Sequence, residues 1–208
     1  MDAFEFTHQI FSASDWEGTL KKFIESLDCS DNIIWHRKRK HKKIFEELTP
    51  LGFYVKYRYG EDKNISFKLN ETQGKADAWV YKDNKEVESI QIAIAYYDNE
   101  ELEVDRRTMN GEDFTVGDWV GSRLELLKGR VLKRVDKKFN KDGYQNIDTL
   151  LIGVNDFFAR RVNTEYQEKK DSVVKYITSY LSITKFKQVA LVDVDYIGTG
   201  DLIFVMNE

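Results

Sequence analysis

Between Gly74 and Asp98 the chain reads GKADAWVYKDNKEVESIQIAIAYYD, two strand-like runs joined by the polar turn Lys82-Asp83-Asn84-Lys85. Turn chemistry between two such runs is a hairpin signal, and it commits this part of the chain to a sheet. If Ile90, Ile92 and Ile94 share one side of the second run, Gln91, Ala93 and Ala95 share the other. Pairing the runs then brings Asp77 close to Gln91. A polar residue with small neighbours in the middle of a strand leaves room for something to approach. A carboxylate beside an amide carbonyl offers hard oxygen ligands of the kind Mg²⁺ or Mn²⁺ takes. The plain structural alternative is that Asp77 caps a turn and Gln91 satisfies a neighbour's hydrogen bond.

The flanking sequence supplies further elements. Ser14-Asp15-Trp16-Glu17 fits a capping box, and Trp16, Leu20, Phe23, Ile24 and Leu27 then recur at helical spacing. A second helix is expected from about Ile33 to Leu48, stopped by Thr49-Pro50-Leu51-Gly52. Phe53 to Tyr59 (FYVKYRY) and Ile65 to Leu69 (ISFKL) alternate as half-buried strands do, so a meander of four strands is expected up to Tyr97. A long helix follows over about Asp118 to Phe139, and Thr149 to Val154 (TLLIGV) reads as a strand buried on both faces. The connection between Ser89–Tyr97 and Thr149–Val154 is long enough for a parallel crossover. Another helix is expected from about Thr164 to Leu181, and Gln188 to Asp195 and Asp201 to Met206 form a closing hairpin. Layer packing of these elements gives an α/β fold, a mixed central sheet flanked by helices, as a single domain over residues 1–208.

Composition narrows the function classes. The 208 residues are 41% hydrophobic and 33% charged, a globular chain with a strongly solvated surface. A net charge of −4 gives no global attraction to nucleic acid, so any such attraction needs a local basic patch. One cysteine, Cys29, excludes an intramolecular disulfide and a cysteine zinc cluster. No apolar stretch suits a membrane span, and the first residues carry no signal-peptide pattern, so no membrane partner and a cytoplasmic location are expected.

The Asp77 and Gln91 pair, set in this order of elements, resembles the PD-(D/E)XK nuclease-like superfamily. The resemblance covers about residues 33–154 and implies a restriction-endonuclease-like core (αβββαβ), here with an added N-terminal helix and a C-terminal hairpin. It implies Asp77, within Ala76-Asp77, as the family's aspartate and Gln91, within Ile90-Gln91-Ile92-Ala93, in place of its second acid. Glu47 matches the glutamate many members carry on the preceding helix. Together these would hold Mg²⁺ or Mn²⁺ for hydrolysis of DNA phosphodiesters by an endo- or exonuclease. The departure is Ala93, where active members place a lysine. Either an ammonium from elsewhere substitutes, with Lys75 and Lys56 as candidates, or the fold serves as a catalytically inactive module for nucleic-acid or protein binding.

The densest charge block, His36-Arg37-Lys38-Arg39-Lys40-His41-Lys42-Lys43, lies on the helix that bears Glu47. Arg37, Lys38, Arg39, Lys40, Lys42 and Lys43 are candidates for contacts to DNA phosphates, against the alternative of a solvated helix face. Arg130, Arg134 and Arg160-Arg161 could extend the patch. Glu88 offers a rival acid, but it shares a side with Ile90 and Ile92 and reads as a solvated residue at a strand start.

Overall fold

A computed structural model of the protein describes residues 2–27, 43–60, 62–70, 76–95, 120–139, 146–154, 171, 175, 179, 186–194 and 200–207. The short helix α1 (Ala3–Thr7) leads into a two-residue strand, β1 (Phe11–Ser12), and then into α2 (Trp16–Glu25). Trp16, Leu20 and Phe23 are buried along one face of α2, as their spacing requires. The expected capping box does not form. Asp15 stands at the N-cap without a side-chain hydrogen bond, and the Ser14 hydroxyl meets the Ser12 hydroxyl at 2.9 Å instead. Ser12 is held in the sheet opposite Ser66, so Ser14 is drawn towards β1 and away from the helix it was expected to cap.

The largest departure from the sequence reading lies at residues 49–59. FYVKYRY is helical, part of α3 (Thr49–Tyr59), which continues directly from a π-helical turn at Ile44–Leu48. Thr49-Pro50 therefore does not stop the preceding helix. Pro50 follows directly on that π-helical turn, in the first turn of α3, and the Thr49 hydroxyl donates to the Ile44 carbonyl at 2.8 Å. Leu51, Phe53, Tyr54 and Val55 are all buried, so this half of the helix shows no polar face. An all-round apolar run carries no helical period, and the rings alternating with Lys56 and Arg58 mimic a strand. Gly60 ends the helix at a φ of 64°, a conformation glycine adopts freely.

The meander consequently has three members, β2 (Ile65–Leu69), β3 (Ala78–Lys82) and β4 (Lys85–Ala95), all antiparallel. Asp83 and Asn84 turn between β3 and β4 with φ of 50° and 62°, the left-handed pair that a tight two-residue hairpin needs. After α4 (Val120–Phe139), β5 (Thr149–Val154) pairs parallel to β4, and β6 (Gln188–Val194) pairs parallel to β5. The last strand, β7 (Gly200–Asn207), returns antiparallel beside β6. Among the described residues the result is one mixed sheet of seven strands in the order β1 to β7. Asp171, Lys175 and Ser179 are helical and exposed; the other residues of the helix expected at 164–181 lie outside the described residues.

Two cores cover the sheet. On one face, Trp16, Leu20 and Phe23 of α2 and Leu51, Phe53 and Tyr54 of α3 pack with Phe67, Ile90, Ile92 and Leu151. On the other, Val131 and Val135 of α4 pack with Ala93, Ala95, Leu150, Ile152 and Leu191. The fold is α/β, a mixed sheet flanked by helices on both faces. No helix among the described residues is long and apolar enough to cross a membrane.

Candidate functional site

Asp77 stands one residue before β3, and the register that pairs Ala78 with Ile90 puts it beside Gln91. The two side chains meet as expected. The Gln91 amide N–H donates to Asp77 Oδ2, and the backbone N–H of Ile92 donates to the same oxygen at 2.8 Å. The backbone extends this clasp, since Asp77 N donates to the Ile90 carbonyl at 2.9 Å and Asn70 N to the Asp77 carbonyl at 2.8 Å. Asp77 thus ties the start of β3 to the middle of β4, while Gln91 is 3% exposed and cannot turn to water.

The residues expected around this pair are placed less favourably. Ala93 is buried in the core that Val131 and Val135 of α4 close, so the position of the expected lysine is packed against a helix. Ile44 and Leu48, either side of Glu47, pack with Ile90 and Ile92, which puts the Glu47 segment on the face opposite Gln91. Lys56 is paired with Glu17 at 2.8 Å. Lys75, Arg37, Lys38, Arg39, Lys40, Lys42 and Arg160-Arg161 lie outside the described residues, and Lys43 stands half-buried at the start of the π-helical turn. As arranged, this donor set does not fit Mg²⁺ or Mn²⁺. Asp77 Oδ2 accepts two N–H donors, the Gln91 amide presents hydrogen to it, and among the described residues no group of three or more His, Cys, Asp or Glu side chains is placed to hold a metal.

Among the described residues a dense polar network centres on Glu88, the acid expected from sequence to be a solvated residue at a strand start. It is 3% exposed. Tyr54 OH donates to Glu88 Oε1 and Tyr59 OH to Oε2, each at 2.6 Å. The Thr149 hydroxyl also donates to Oε1, and Arg58 Nε lies 3.4 Å from Oε2. Gln188 joins by donating to Tyr54 OH and, at 3.3 Å, to the Thr149 hydroxyl, and its own carbonyl accepts from Arg58. Glu88 falls two residues before Ile90, so it keeps the α3 side of β4, while Thr149 and Gln188 open β5 and β6. The hydroxyls and guanidinium come from the C-terminal half of α3. This is where the misread helix matters: Tyr54, Arg58 and Tyr59 share a surface only at helical spacing.

Burial pushes the Tyr59 phenol up to about 12, reinforced by its hydrogen bond to Glu88 and by the carboxylate charge. Tyr54 is pushed higher still, by burial first, then by the Glu88 charge and by its hydrogen bond to that carboxylate. The folded protein therefore holds these protons more tightly than the unfolded chain, whose phenols titrate near 10. That stability is fully present below pH 10 and drains away as pH rises towards 12. Unfolding in urea followed by circular dichroism should show the wild type losing more stability than Tyr59→Phe between pH 10 and 12. Parallel losses in the two proteins would contradict this assignment.

A smaller polar group sits on the opposite side of β4. Ser89 Oγ donates to Asp148 Oδ2 at 2.7 Å, and Lys187 Nζ pairs with Asp148 Oδ1 at 2.7 Å. Partial burial works to raise the Asp148 carboxyl, but the bonds from Lys187 and Ser89 outweigh it and hold it below its ordinary value. These contacts join the ends of β5 and β6 to β4. Compared with known protein families, with curated proteins and with solved structures, the chain gives no match.

Proposed function

We propose that the protein is a nuclease-like module with a restriction-endonuclease-like core, binding nucleic acid without cutting it. The fold part rests on the order of elements: α3, the β2–β4 meander, α4, then β5 parallel to β4. One observation carries the functional part. Asp77 Oδ2 is spent on the Gln91 amide and the Ile92 N–H, next to an Ala93 sealed beneath α4. Such a pair closes two strands together and turns the Gln91 amide hydrogen, not its oxygen, towards the carboxylate.

The test is to incubate the protein with supercoiled plasmid and Mn²⁺ or Mg²⁺, beside Asp77→Ala. Wild type and variant should both leave the plasmid intact and should shift it equally in EDTA. Asp77→Ala should also unfold more easily, by about 1–3 kcal/mol, because the Gln91 amide is left buried without its acceptor. The second reading is a Mg²⁺- or Mn²⁺-dependent hydrolase acting on DNA phosphodiesters. What favours it is that Asp77 and Gln91 do face each other across β3 and β4. Metal-dependent cleavage that disappears in Asp77→Ala would establish that reading and overturn the first.

A further inference from the structure

We propose that the outward face of α4 is the surface through which the protein holds the phosphates of a DNA duplex. The proposal rests on the nucleic-acid reading above and says where that contact is made. Residues 120–139 contain seven basic and two acidic residues, a net charge of +5 in a protein whose whole charge is −4. The remainder of the chain is therefore strongly acidic, and α4 is a local basic field of the kind such a protein needs to attract a polyanion.

The helix sorts these charges. Val131 and Val135 are buried against the sheet, while Lys133, Arg134 and Lys137 are exposed. At about 100° per residue, Lys133, Lys137, Arg134 and Lys138 fall in that order across one arc of about 140°; Arg130 shares the arc, but its Nε and Nη2 are buried and it is not part of the exposed face. Asp136 lies beyond its edge. A solvated helix is usually laced with charges of alternating sign; here one sign runs unbroken along the arc. Among the described residues, no acidic side chain is paired with Lys133, Arg134 or Lys137. From Lys133 to Lys137 the exposed face rises about 6 Å, enough to reach two neighbouring phosphates of one strand. The face lies on the Gln91 side of the sheet, opposite the helix that carries Lys43.

Nothing in this arrangement reads bases, so the contact is sequence-independent. A fluorescein-labelled duplex of random sequence should bind with an affinity that falls steeply with salt. In the variant carrying Lys133→Glu, Arg134→Glu and Lys137→Glu, affinity at 0.1 M salt should drop at least about tenfold, and the salt slope should shrink by about two to three. A Lys133→Gln, Arg134→Gln, Lys137→Gln variant should lose slope similarly, and thermal melting of both confirms that they fold. Wild-type binding with an unchanged slope in both variants overturns the α4 surface and leaves the nucleic-acid reading standing. No binding of the duplex by the wild type overturns both. Wild-type binding to phosphatidylserine vesicles but not to the duplex, lost in the variants, would assign the same face to a membrane and overturn the proposal.

Discussion

Glu88→Ala is expected to lower the stability of the fold by about 3–5 kcal/mol, the range for removing one partner of a buried charged cluster. The effect is large because the carboxylate, carried on β4, is the common acceptor for α3 and β5. Its loss leaves Tyr54 and Tyr59 of α3 and Thr149 of β5 without their acceptor, and the Arg58 guanidinium without its anion. A buried donor left unpaired costs about 1–3 kcal/mol on its own, so several together reach the stated range even when the site relaxes. Equilibrium unfolding in urea at pH 7 measures the change. Glu88→Gln keeps one acceptor oxygen and should cost less than the alanine. An alanine variant within about 0.5 kcal/mol of wild type would mean the network contributes nothing, and that its groups are as well solvated unfolded as paired.

Gly52→Ala is expected to be nearly as damaging, although alanine is the better helix former by about 1 kcal/mol. A Cβ at position 52 would overlap the Trp16 indole, meeting its ring carbons and Nε1 well inside contact distance. Trp16 is fully buried, packed edge-on against Phe11, Phe53 and Phe67. The ring has nowhere to go, and overpacking of this kind costs about 1–3 kcal/mol, occasionally more. The diagnostic result is compensation: Trp16→Leu alone should destabilise, yet Gly52→Ala should cost much less in that background. Additive losses in the double variant would show that the alanine acts through the helix backbone and not through the indole.

These two sites mark what the sequence could and could not reveal. The strands were legible because their apolar pattern is local: Ile65–Leu69, the β3–β4 hairpin, Thr149–Val154 and the closing pair all form close to where alternation and turn residues placed them. The long helix was legible from its stripe, and the pairing of the Asp77 and Gln91 runs was legible as a hairpin, but a bulge between Val80 and Tyr81 shifts the turn's register by one residue and is what sets Asp77 beside Gln91 rather than Ile90. The α3 helix was not legible, since a segment buried on all sides has no face to set a period. With it the Glu88 network was hidden, because its five other members come from α3, β5 and β6, with Tyr54 and Gln188 standing 134 positions apart in the chain.

Sequence alone therefore determined the class of fold, the sheet's central strands and the neighbourhood of Asp77 and Gln91, all consequences of short-range periodicity and turn chemistry. The tertiary structure decided what those residues are doing. Whether Asp77 faces a cation or a buried amide, and whether Ala93 leaves a vacancy or a packing surface for α4, depends on where a helix settles on the sheet. That choice is made by long-range packing, which no local pattern encodes.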